Sequence, residues 1–137
     1  MAKHRQWICW RAVPKPDKRN KYGQPKVDKV PTDPHTGRRI PLTSPSVWMT
    51  AEDAYRHAAR VGLGVGFVFT ADDPFFFVDL DDCWDLEREG WSDVALEACQ
   101  LFQDCAVETS QSGHGLHIFG QYQGAAPPHS CEVGGIG

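Results

Sequence analysis

The chain has 137 residues, of which 41% are hydrophobic and 23% charged, with a formal net charge of −4. That length suits one domain with a real core, and no apolar run approaches the 18 residues of a membrane span. Five cysteines (Cys9, Cys83, Cys99, Cys105 and Cys131), never spaced Cys-x-x-Cys, argue for reduced thiols in a cytoplasm rather than a disulfide framework.

A mixed zinc site at His129 and Cys131 fits no closed zinc spacing, and the basic N-terminus lacks an apolar signal-peptide segment after it. The net charge conceals an asymmetry. Residues 1–40 hold 11 of the 14 Lys and Arg against three acids, and residues 41–137 hold 3 against 15. A basic segment with an acidic site suits an enzyme acting on a polyanion; a solvated basic loop is the plain alternative.

In chain order, Trp7-Ile8-Cys9-Trp10-Arg11-Ala12-Val13 reads as a short strand closed by Pro14 and Pro16. Residues 14–47 hold most of the prolines and basic side chains and read as a long irregular loop, with a short hairpin at most. Lys26, Lys29, Arg38 and Arg39 lie in it as candidate nucleic-acid contacts. Trp48 reads as core packing. Thr50 and Asp53 form a capping box for a helix over 51–61, stopped by Gly62 and Gly64. Strands follow at 65–70 and 75–80, joined by Ala71-Asp72-Asp73-Pro74 as a hairpin. An acidic loop runs to Gly90. Ser92 caps a helix over 93–103, with Val94, Ala98, Leu101, Phe102 and Cys105 as its apolar stripe. A strand at 106–109, a Ser/Gly loop and a strand at about 115–119 complete the core. The Gly- and Pro-rich remainder, 121–137, shows no element and suggests a chain cut in mid-domain.

Two constellations carry chemistry. Phe75-Phe76-Phe77-Val78-Asp79-Leu80-Asp81-Asp82 runs a buried strand into two carboxylates one residue apart. Alternation aims Asp79 and Asp81 to one side, and a divalent cation such as Mg²⁺ or Mn²⁺ relieves their repulsion. An acidic, solvated strand end is the bland alternative. Phosphatases, nucleases and polymerases all use such pairs. Downstream, Ser110-Gln111-Ser112-Gly113-His114-Gly115-Leu116-His117 combines hydroxyls and glycine amides able to cradle a phosphate with a histidine on a strand. A hairpin turn chosen for geometry alone is an equal reading, and His114 is the less secure histidine.

In order and spacing, Val78-Asp79-Leu80-Asp81 and Ser112-Gly113-His114-Gly115-Leu116-His117 resemble the archaeo-eukaryotic primase superfamily, in its phage and plasmid primase–polymerase branch. Lys29-Val30-Pro31-Thr32-Asp33-Pro34, the Trp48–Ala54 stretch, Gly64-Val65-Gly66-Phe67 and Glu108-Thr109-Ser110-Gln111-Ser112 extend the likeness over nearly the whole chain. The resemblance implies an α+β fold with an RRM-like, mainly antiparallel sheet and flanking helices. The basic loop is 14–47, the catalytic core 48–120. It implies Asp79 and Asp81 as ligands of two Mg²⁺ or Mn²⁺ ions, and His117 on the incoming nucleotide, with Ser110, Ser112, Gly113 and His114 beside it. Its substrates are a dNTP or NTP and a single-stranded DNA template with primer. A fused or associated helicase and a phage-encoded or bacterial cytoplasmic setting are also implied. The third acid of this family lies downstream of the histidine; here only Glu132 does, in surroundings unlike that motif.

Two rivals stand. A phosphatase of the haloacid dehalogenase type shares Asp-x-Asp but requires a parallel sheet, and Asp82-Cys83-Trp84 departs from its pattern. A non-catalytic module for single-stranded nucleic acid or nucleotides would keep the fold and ignore Asp79 and Asp81.

Overall fold

The computed structural model describes residues 1–124. The expectations for His129, Cys131 and Glu132, and for most of the tail, lie outside the described residues. The chain forms two compact units, Met1–Ala71 and one beginning at Asp72. Among the described residues, every strand pairing is antiparallel, and with two α-helices this makes the fold α+β. Among the described residues, no helix is long and apolar enough to cross a membrane.

In the first unit, β1 (Trp7–Arg19) lies between β2 (Pro25–Pro31) and β3 (Gly64–Phe67). The loop expected over 14–47 is in large part this β1–β2 hairpin, and Pro14 and Pro16 do not end β1. The reason is register. Thr32 N–H donates to the Cys9 carbonyl at 2.8 Å, so the odd-numbered residues of β1 share its hydrogen bonds with β2. Pro14, opposite Val27, takes an alternate position whose missing N–H faces the open edge. The Asn20 side chain closes the turn by accepting the amides of Tyr22 and Gln24, both at 3.0 Å.

Helix α1 (Ala51–Val61) has the expected bounds. Thr50 Oγ1 accepts the Asp53 amide at 3.1 Å, and Gly62 ends the helix in the left-handed region at φ 71°. Its buried residues, Ala54 and Ala58, meet Cys9, whose Sγ donates to the Ala54 carbonyl at 3.4 Å. Burial pushes the Cys9 thiol above its ordinary range.

The expected hairpin between 65–70 and 75–80 does not form. β3 pairs with β1, and its residues Gly64 and Gly66 lie under the Trp10 indole, which a Cβ at Gly64 would overlap. The next strand begins the second unit, so the turn at 71–72 lies at a unit boundary and does not join a hairpin.

In that unit, β8 (Leu116–Gln121) is central, between β4 (Phe75–Leu80) and β7 (Ala106–Thr109). The expected acidic loop holds a small ribbon, β5 (Trp84–Asp85) with β6 (Gly90–Trp91), whose facing tryptophans meet edge to face at 5.1 Å. Leu80, Leu116 and Ile118 bury one sheet face with Cys83, Ala95 and Ala98. Full burial of a Leu or Ile is worth about 1.5–3 kcal/mol.

Helix α2 (Asp93–Leu101) is capped by Ser92 as expected, ends two residues before the expected 103, and buries only part of the expected stripe, Ala98 among it. Ala95 and Ala98 are buried, whereas Val94 and Leu101 are 47% and 76% exposed. Phe102 and Cys105, the other members of the expected stripe, do pack on the core. Small alanines let the helix approach the sheet closely; the larger Val and Leu remain outside.

Candidate functional site

The sheet face opposite the core carries the site. Ile118 points into the core, so alternation sends its neighbours His117 and Phe119 to the other side. The register places Asp79 of β4 directly across from His117, and Glu108 of β7 directly across on the other flank. Three strands therefore align a carboxylate, an imidazole and a second carboxylate in one row.

The geometry within the row is uneven. His117 Nδ1 lies 2.8 Å from Glu108 Oε1, a hydrogen bond of charge-assisted length. An ionised carboxylate only accepts, so Nδ1 carries the proton. His117 Nε2 lies 3.6 Å from Asp79 Oδ1, too far for a hydrogen bond. The imidazole is thus fixed on one side while its second nitrogen faces the aspartate. His117 is only 8% exposed. Phe77 packs on it with ring centroids 5.2 Å apart, and Phe77 and Phe119 are also 5.2 Å apart.

β4 ends at Leu80, so Asp81 is the first residue beyond the strand and is exposed. Asp82 follows with φ 51°, turning the chain. Among the described residues, no three His, Cys, Asp or Glu side chains converge as a metal site. The donor chemistry of Asp79 and Asp81 still suits Mg²⁺, which is commonly held by one or two carboxylates together with substrate phosphates and water.

The loop between β7 and β8 is a self-bonded turn. Ser110 N–H donates to the Gly115 carbonyl at 2.8 Å, and Gly113 N–H to the Ser110 carbonyl at 2.9 Å. Ser110 Oγ accepts the Gly115 amide at 3.0 Å and lies 3.0 Å from Ser112 Oγ, which accepts the His114 amide at 3.3 Å. The amides of Gly113, His114 and Gly115 therefore already donate within the turn. The His114 carbonyl accepts the Trp84 amide at 3.2 Å. Gly113 adopts φ 79°, where a side chain is strained. Gly115 has a different reason: a Cβ there would stand 2.7 Å from the Leu80 carbonyl oxygen. The second glycine of Ser-Gly-x-Gly-x-His thus lets the start of β8 approach the end of β4, next to Asp81.

No family model matches the chain. A curated relative does: the DNA primase-polymerase of Nitratiruptor phage NrS-1, 29% identical over 122 residues. The chain is a homologue of that phage primase-polymerase. The match takes in 86% of this chain but 15% of that primase-polymerase, so the chain spans a small part of its relative.

The four basic candidates belong to the first unit. Lys26 pairs with Lys15 across the β1–β2 hairpin, and Lys29 Nζ stands over the Trp10 ring, 5.4 Å from its centroid. Arg38 and Arg39 follow a turn built on Asp33. Its carboxylate accepts the His35 amide and the Thr36 hydroxyl, both at 2.8 Å, and these bonds hold the Asp33 carboxyl below its usual range.

The residue missed in the sequence is Glu108. It stands in Glu108-Thr109-Ser110-Gln111-Ser112, yet its contact with His117 depends on the pairing of β7 with β8, which spacing does not reveal. Its alternation with Val107 was the available signal. The phosphatase alternative requires a parallel sheet, whereas β4 pairs antiparallel with β8.

Proposed function

We propose that this chain is the nucleotidyl-transfer part of a primase–polymerase, with the RRM-like sheet of that family as its catalytic platform. The carrying observation is the direct pairing of Asp79 with His117, which unites two motifs separated in the chain. The homology to a phage primase-polymerase supports the same reading.

Asp79 and Asp81 would hold the divalent ions, two Mg²⁺ or Mn²⁺. When bound, such ions activate the attacking 3′-hydroxyl and stabilise the pyrophosphate leaving group. His117 contributes through Nε2. With Nδ1 donating to Glu108, a second proton on Nε2 would make this nitrogen a donor to a triphosphate oxygen beside Asp79, where its bond stabilises charge developing in the transition state. Ser110, Ser112, Gly113 and His114 border the triphosphate, the turn's internal bonds keeping its two hydroxyls in fixed positions. Lys26, Lys29, Arg38 and Arg39 engage the phosphates of a single-stranded DNA template or primer, largely without reading sequence. An associated helicase and a cytoplasmic, phage- or bacterium-derived setting belong to the same proposal.

The test is calorimetric titration of a dNTP into the chain, in Mn²⁺ and then in EDTA, for wild type and for Asp79→Asn/Asp81→Asn. Binding should require Mn²⁺ and disappear in the double variant. Metal-dependent binding that survives both substitutions would overturn the site.

A further inference from the structure

The first unit contains a cavity of about 580 Å³, lined by Trp10, Trp48, Phe67, Phe69, Pro31 and Lys29 among others. We propose that this groove binds the bases of single-stranded DNA, stacking one on Trp10 while Lys29 takes an adjoining phosphate. The choice of ligand class rests on the proposed function, which already gives Lys29 a phosphate; the groove adds aromatic residues, none of which belongs to the proposed dNTP site.

Trp10 is built as a platform. Its Nε1–H donates to the Val65 carbonyl at 3.0 Å, which fixes the ring's orientation. The ring lies on the bare backbone of Gly64 and Gly66, the first of which tolerates no Cβ beneath it. A ring held this way loses little freedom when a base stacks on it. Trp48 is similarly tethered, its Nε1–H donating to the Leu42 carbonyl at 2.9 Å. Lys29 Nζ stands over the Trp10 ring, so a cation already reaches the face that a base would cover. A base displaces the ammonium from the ring toward the phosphate of the same strand. Base–aromatic stacking is sequence-tolerant because every base has a π-face.

Charge selects this occupant. The groove lies in the unit that carries 13 of the 14 Lys and Arg and five of the 18 acids. An apolar peptide would fill the aromatic lining but leave Lys29 without a counter-charge. A polyanion with aromatic bases satisfies both.

The test uses fluorescence anisotropy of labelled oligo(dT), about 12 nucleotides long to match typical site sizes, in EDTA so that metal-bound nucleotide plays no part. An abasic oligonucleotide of equal length is the comparison. Oligo(dT) should bind more tightly than the abasic strand. Trp10→Leu should weaken oligo(dT) binding by on the order of tenfold to a hundredfold while leaving Mn²⁺-dependent dNTP binding unchanged. Lys29→Gln should flatten the slope of log K against log salt by about 0.7. Should Trp10→Leu fail to fold, ultraviolet crosslinking of oligo(dT) to the wild-type chain decides, with the crosslink expected on the Trp10 peptide. Equal affinity for the abasic strand, a folded Trp10→Leu variant that binds normally, or a crosslink confined to other peptides would overturn the groove. Loss of dNTP binding alone, with oligo(dT) binding intact, would count against the proposed catalytic site and leave the groove standing.

Discussion

An imidazole can present one nitrogen to a ligand reliably only when the other is already committed. At His117 that commitment is Glu108, 2.8 Å from Nδ1. On the proposed function, Glu108 is a positioning residue, acting through the histidine. A hydrogen bond involving a charged group contributes about 1.5–3 kcal/mol, but the Glu108 side chain is 59% exposed, and solvent reduces its share to about 1 kcal/mol. Glu108→Ala should therefore weaken Mn²⁺-dependent dNTP binding roughly fivefold, with Glu108→Gln recovering part of the loss. The same loss should lower the thermal midpoint of Glu108→Ala by only about 2–8 °C. A large fall in melting temperature with unchanged nucleotide affinity would make the contact structural only. Asp79 and His117 stand out in the sequence as candidates because each sits in a short motif of unusual composition. Glu108 does not, since its role arises from the strand beside it.

Elements followed the sequence wherever a local signal decides them. The Thr50 and Ser92 caps start both helices because a side-chain oxygen meets an otherwise unpaired amide three residues on. Gly62 ends the first helix for an equally local reason. Strand partnership is not local, and there the reading failed: β3 chose β1 over β4. The prolines of β1 misled for a related reason, since proline interrupts a strand only where its N–H is needed. The turn between β7 and β8 shows the same division. Gly113 is legible as a turn glycine, whereas Gly115 is needed because a distant carbonyl, that of Leu80, lies close by. Gly115→Ala should cost about 1–3 kcal/mol in chemical denaturation, since backbone cannot rotate aside as a side chain can. A neutral Gly115→Ala would show that β4 and β8 can separate at this end.

Across the whole molecule, the charge asymmetry coincides with the division into units: a balance of +8 over residues 1–71 and −12 beyond. The asymmetry was visible in the sequence, but its boundary was not. The basic residues were assigned to a loop, and they instead decorate a sheet unit with its own aromatic groove. The second unit is organised differently, around one inner strand. β8 is hydrogen-bonded on both sides, to β4 and to β7, and it bears His117. Local opening begins at edges and ends, and doubly paired strands open last. In native-state hydrogen–deuterium exchange, the amides of 117–119 should be the slowest in their unit, with those of the short β5–β6 ribbon among the fastest. Rapid exchange at 117–119 would refute this order. With β8 the last strand to open, the histidine stays in register through the fraying of its neighbours, so the timescale on which the site dissolves is that of the unit as a whole.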